Sequence, residues 1–298
     1  MNELLAPAAL RISLALAGGL TVIVAAERRH LRELFDRTLF LRWRTWALAA
    51  PLFVAAALGP VAFAAAFVTA LSLQALREYS HLTGIPRAYR LPLYAAGAIS
   101  APVAVWSLTA WRAMPPLLMV LATIPPLLRQ DTGRGIRDLA YAGLGFAYIP
   151  WLLAYFLLVR EHVPGGRGVL LALGVSVAAS DVWAFVFGKM FGRHPLAPRL
   201  SPNKTVEGVI GNVIGAYAGF ALMSFALPDA IPAGVLWSLP LLVAAGSVWG
   251  DLVESLLKRQ FGVKDAGTAL PGFGGLLDRI DSLLVVLPLA YTALVIFR

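Results

Sequence analysis

The strongest constraint in this sequence is an alternation. Apolar runs of 13 to 23 residues are separated by short segments that hold nearly all of the lysine and arginine. About 20 apolar residues cross the hydrocarbon core of a bilayer as one helix. Lipid offers no partner to a bare peptide group, so a spanning segment must satisfy its backbone internally, as a helix does. The expected spans are 4–26, 46–58, 60–78, 91–108, 114–128, 139–159, 169–188, 206–227, 235–257 and 280–297. The fold class is therefore all-α, a polytopic integral membrane bundle of about ten transmembrane helices. Composition agrees: 59% of residues are hydrophobic and 14% charged, against about 45–50% and 25% in soluble domains.

The charges set an orientation. Of 25 Lys and Arg, twenty fall on one side of the expected spans and four on the other, with Arg11 inside the first. The basic side is cytoplasmic by the positive-inside rule, which puts both termini outside. The net charge of +9 comes from these short flanking clusters and forms no continuous basic face, so no nucleic-acid partner is expected. Absence of cysteine excludes disulfides, thiolate zinc sites and a cysteine nucleophile. The first run has only Glu3 as a charge before Arg11 and leads into Glu27-Arg28-Arg29-His30. It reads as a retained helix rather than a cleaved signal.

Chemistry concentrates in two segments that both face the cytoplasm. One holds Ser180-Asp181, then Lys189 to His194, then Ser201-Pro202-Asn203-Lys204-Thr205-Val206-Glu207-Gly208; the other runs from Gly250-Asp251 to Asp281-Ser282. Asp251, Glu254, Ser255 and Lys258 share one helix face. A carboxylate inside a membrane helix normally faces protein or a wet cavity and marks function. The bland alternative is an ion pair of Lys258 with Asp251 or Glu254. Asp278 and Asp281 lie one turn apart at the start of the last span, where Asp281 or Ser282 would serve as an ordinary N-cap. Asp251, Asp278 and Asp281 together suit a hard cation such as Mg²⁺, which binds through few carboxylates plus substrate phosphates. Between them, Lys264-Asp265 and the glycine-rich stretch Gly267 to Gly275 suit close approach of backbone N–H groups to phosphate.

Ser255-Leu256-Leu257-Lys258-Arg259, Lys264-Asp265, Pro271-Gly272, Gly274-Gly275 and Leu277-Asp278-Arg279-Ile280-Asp281 resemble the signature of the phosphatidate cytidylyltransferases, or CDP-diacylglycerol synthases. Ser201 to Gly208 is similar to that family's second motif. The resemblance covers about residues 42–298, with the site in 180–282, and makes 1–41 an additional helix and Arg-rich cytoplasmic loop. It implies transfer of a cytidylyl group from CTP to phosphatidic acid, with Mg²⁺ and a second cation such as K⁺, in a bacterial-type inner membrane. By position it implies metal ligation by Asp251, Asp278 and Asp281. Lys258, Lys204, Arg259, Lys264 and Arg279 would hold phosphates, and Asp181, Ser201, Asp265, Gly274 and Gly275 would line the pocket. Membrane lipid is an expected partner, and a homodimer stays open.

Two positions depart from the family pattern: Phe273 replaces a histidine between the glycine pairs, and Val182 replaces a threonine after Asp181. Loss of one hydrogen bond to a phosphate, at about 1.5–3 kcal/mol, would slow such an enzyme by one or two powers of ten. The competing readings are a paralogue using another lipid phosphate, a CTP-dependent lipid kinase, a catalytically silent scaffold and a cation transporter. A transporter would place charges near mid-bilayer in broken helices, whereas here they crowd one face.

Overall fold

The computed structural model describes residues 2–26, 38–263, 267 and 274–297. Every expected span is helical. The helices are α1 (Asn2–Ala26), α2 (Thr38–Leu58), α3 (Val61–Thr83), α4 (Arg87–Trp106), α5 (Leu108–Ala122), α6 (Ile124–Arg129), α7 (Gly135–Phe146), α8 (Tyr155–His162), α9 (Gly166–Phe191), α10 (Val206–Leu222), α11 (Ala233–Gln260) and α12 (Leu277–Ile296). A π-helical turn at Ala147–Trp151, carrying Pro150, joins α7 to α8. By length and composition, seven helical stretches among the described residues are able to cross a membrane: α1, α3, α5 with α6, α7 with α8, α9, α11 and α12. α2 and α10 contribute shorter apolar segments, and α4, although 20 residues long, is not among the spanning stretches. The chain is an all-α polytopic membrane protein, and the count of ten crossings rests on the apolar runs alone.

Between α9 and α10 the structure departs from an all-helical reading. Pro195–Ala197 (β1) and Ser201–Thr205 (β2) pair as a small antiparallel ribbon. A five-residue strand without apolar alternation carries no period-2 signal, so the sequence marks this segment only as a motif.

Helices pack here through small residues. On α10, Gly211, Gly215 and Gly219 recur every four residues and face α9. A Cβ at Gly215 would stand 2.5 Å from the Ala179 carbonyl oxygen, and one at Gly219 would stand 2.6 Å from that of Val175. Such stripes let membrane helices touch backbone to backbone, where no hydrophobic effect drives association. Ser176 Oγ donates to the Ala216 carbonyl at 2.7 Å across the same seam.

One cation on the side opposite the basic loops is structural. Arg160 is buried. Its Nε donates to the carbonyls of Ala56 and Ala57, both at 3.1 Å, and its other nitrogens reach the Gly59 carbonyl and Glu161. These carbonyls end α2, where the helix has no further N–H groups to offer them.

The orientation is testable because the chain has no cysteine. Arg134→Cys and Arg199→Cys, both at exposed positions, are expected to react with an impermeant thiol reagent only in inverted vesicles. Ala230→Cys, exposed in the turn before α11, is expected to react in intact cells. The reverse pattern would invert the topology.

Candidate active site

The site begins with a close approach of two helices. A Cβ at Gly246 would meet Val286 of α12 at 2.8 Å, and one at Gly250 would stand 2.4 Å from the Asp281 carbonyl oxygen. Gly250 therefore lets the α12 backbone lie directly on α11. The next residue, Asp251, then faces Asp281 with the two carboxylates in hydrogen-bonding reach. Asp181, on α9 just after the Ser180–Ser247 contact at 3.5 Å, lies within electrostatic range of both carboxylates. Asp281 is 5% exposed, while the Asp251 side chain is 37% exposed. The pair thus opens on one side. Adjacent carboxylates repel when both are ionised, so the pair is relieved either by a shared proton or by a nearby cation.

Lys204 of β2 supplies one, forming an ion pair with Asp251. The surrounding motif explains how Lys204 is aimed. Thr205 caps α10 by accepting from Gly208 N at 3.1 Å, as N-cap residues do. The Glu207 carboxylate accepts from Arg193 N and His194 N at 3.0 and 3.3 Å and holds the His194 ring at 2.6 Å. These contacts tie both strands of the ribbon to the start of α10. Arg259 Nε donates to the Leu200 carbonyl at 3.2 Å, which fastens the ribbon to the end of α11.

A second cluster lies one turn further along α11. Lys258 Nζ contacts Glu254 at 2.5 Å and Asp278 at 2.8 Å. Both carboxylates are buried. The other Asp278 oxygen accepts from Gly275 N at 2.8 Å. The preceding residue, Gly274, has a φ of 83°, a left-handed conformation open mainly to glycine.

The expectations divide accordingly. Lys204, Asp251 and Asp281 come together, with Asp181 within electrostatic range. Asp278 joins Lys258 and Glu254 one turn away, so the three carboxylates expected to act as one set are split between two clusters. Among the described residues, no group of three or more His, Asp or Glu side chains is placed to enclose a metal ion. Ser201 opens β2, and Arg279 is an exposed residue whose charge acts on Asp181. Lys264, Asp265 and Phe273 lie outside the described residues. Of the ion pairs weighed for Lys258, the one with Glu254 forms; Asp251 pairs with Lys204 instead. Neither Asp281 nor Ser282 caps α12, because the helix starts four residues earlier, at Leu277.

The cap comes from a residue the motifs do not include. Glu78, buried near the end of α3, accepts from Leu276 N at 2.9 Å and Leu277 N at 2.8 Å. Its sequence signal is a single carboxylate closing an apolar run, which membrane energetics flags as functional.

Residues 40–297 match the cytidylyltransferase family. The chain belongs to that family. Among the relatives of this cytidylyltransferase-family protein are proteins named phosphatidate cytidylyltransferase from Staphylococcus saprophyticus and Mycobacterium leprae. The first is 39% identical over 159 residues, covering 53% of this chain and 57% of the relative. The second is 39% identical over 160 residues, covering 53% and 50%. The chain spans about half the length of the curated relatives it matches. In this cytidylyltransferase-family protein, Gly250 is where small size matters most to the site. Overpacking costs about 1–3 kcal/mol, so Gly250→Ala is expected to move α12 and lower the rate of the reaction proposed below about tenfold. An unchanged rate would show that the α11–α12 spacing does not set the site.

Proposed function

We propose that the chain transfers a cytidylyl group from CTP to the phosphate of phosphatidic acid, giving CDP-diacylglycerol and pyrophosphate, at the cytoplasmic face of the membrane. The observation that carries this reading is the facing pair Asp251–Asp281, flanked by Lys204 on one side and the Lys258 cluster on the other. A phosphatidate oxygen attacks the α-phosphorus of CTP, and the bond from that phosphorus to the bridging oxygen breaks as pyrophosphate leaves. The nucleophile is already an anion, so the protein's work is to bring two anions together and neutralise the charge between them. Lys204, which reaches Asp251, and Arg259, which reaches the ribbon at Leu200, would hold phosphates beside the pair. Lys264 and Arg279 would extend that basic rim, and Ser201, Asp265 and the glycines would line it.

The donor set fits Mg²⁺. Two adjacent carboxylates offer hard oxygens and leave positions for substrate phosphates, and the exposed Asp251 gives access. Asp251 and Asp281 would hold the ion, with Asp278 one helical turn from Asp281. When bound, Mg²⁺ supplies Lewis-acid stabilisation of the phosphoryl oxygens. A second cation such as K⁺ is part of the proposal.

The test is incubation of purified protein with radiolabelled CTP, phosphatidic acid, Mg²⁺ and K⁺, followed by extraction. A labelled CDP-lipid formed from phosphatidic acid, and reduced when either cation is omitted, is expected. Formation from a different lipid phosphate only would move the acceptor. Absence of any lipid product would overturn the reading.

A further inference from the structure

The Glu78 carboxylate links the first and last thirds of the molecule. It accepts from two consecutive N–H groups at the start of α12, Leu276 and Leu277, and is itself held by Gln74 Nε2, one turn back on α3, at 2.9 Å. Two glycines pack against it. A Cβ at Gly267 would stand 2.9 Å from the Glu78 carboxyl carbon, and one at Gly275 would stand 2.6 Å from its Oε2 and 2.8 Å from Gly267 N. The stretch from Gly267 to Gly275 thus has both of its ends on this one carboxylate.

We propose that Glu78 is a positioning residue for the acidic pair. By fixing the first turn of α12 from α3, it sets where Asp278 and Asp281 stand relative to Asp251. The geometry supports this over general glue. An anion at a helix N-terminus satisfies N–H groups that have no intrahelical partner and complements the helix dipole. Asp278 and Asp281 follow within the first two turns, so any shift of that end moves both. Among the described residues the Glu78 carboxylate meets Gln74, the two α12 N–H groups and the two glycines, so its effect passes through α12. The inference rests on the cytidylyl-transfer reading for its kinetic arm only.

The experiment compares the wild-type chain, Glu78→Gln and Glu78→Ala, each alone and with Leu276→Cys. Leu276 is half-buried and would carry the sole thiol of the molecule. Glu78→Ala leaves two N–H groups without an acceptor, and kcat is expected to fall about thirtyfold with KM for CTP within about threefold. Thiol labelling at Leu276→Cys is expected to speed up about tenfold as the first turn opens. Glu78→Gln keeps one acceptor oxygen, so it is expected to fall between the two and serves where Glu78→Ala fails to fold. A kcat per folded molecule equal to wild type, or labelling that does not change, would overturn the proposal. Should the wild type form no CDP-lipid, the functional reading fails, and the labelling arm decides the role of Glu78 by itself.

Discussion

Asp251→Asn and Asp281→Asn are each expected to lower the rate of CDP-lipid synthesis by at least about a hundredfold, because the cation they would hold supplies several kcal/mol of charge stabilisation. Each substitution keeps the side chain's volume and removes one charge. At Asp281 the buried setting leaves room for an isosteric amide only. At Asp251 the substitution also frees Lys204 from its partner, so nucleotide affinity and rate are expected to separate, with KM for CTP changing far less than kcat. The check is a steady-state titration of CTP at several Mg²⁺ concentrations. Intact activity and intact Mg²⁺ dependence in Asp251→Asn would reduce the pair to a structural contact with Lys204.

Lys258→Met is expected to be damaging for a different reason. The family resemblance implies a phosphate ligand at Lys258, with an ion pair to Asp251 or Glu254 as the alternative, and loss of such a ligand would weaken substrate binding. In the structure Lys258 lies between Glu254 and Asp278, both buried. Removing the cation leaves two carboxylates desolvated beside each other, and breaking a buried ion pair costs about 3–5 kcal/mol. Loss of folded protein and a lowered unfolding temperature in detergent are therefore expected. Glu254→Gln combined with Lys258→Met removes one of the stranded charges and is expected to recover part of that stability. A singly substituted protein with an unchanged unfolding temperature and a raised KM for CTP would return Lys258 to the substrate.

These two residues show what is legible in such a sequence. Apolar runs become helices because lipid leaves the backbone no alternative, and each expected span is helical where described. The spacing of Asp251, Glu254 and Lys258 gives one helix face, and the Glu254–Lys258 pair follows from it. The partner of Asp251 does not, since Lys204 arrives on a ribbon strand 47 residues away. Capping fails in the same way. Local rules look three residues ahead of a helix start and so point to Asp281 or Ser282, while the acceptor of the α12 N–H groups lies 199 residues upstream. The glycine repeat on α10 is the opposite case, a plain small-residue pattern whose partner helix only the packing identifies. The second motif also divides on inspection: Thr205, Glu207 and Gly208 build the turn that aims Lys204.

The distance between Glu78 and its N–H partners has a consequence for biosynthesis. Membrane helices leave the ribosome in order, and α3 is inserted long before α12 exists. Throughout that interval the Glu78 carboxylate waits near the membrane surface without the groups that will bury it, an unfinished polar spot on an early hairpin. Translation at about 5–20 residues per second makes the wait on the order of ten seconds or more for the 199 residues that separate it from Leu277. Arrival of the final helix completes two things together, the Asp251–Asp281 pair and the burial of this charge. A nascent chain that stalls before its last helix therefore still displays this acid with only Gln74 of its own helix to hold it.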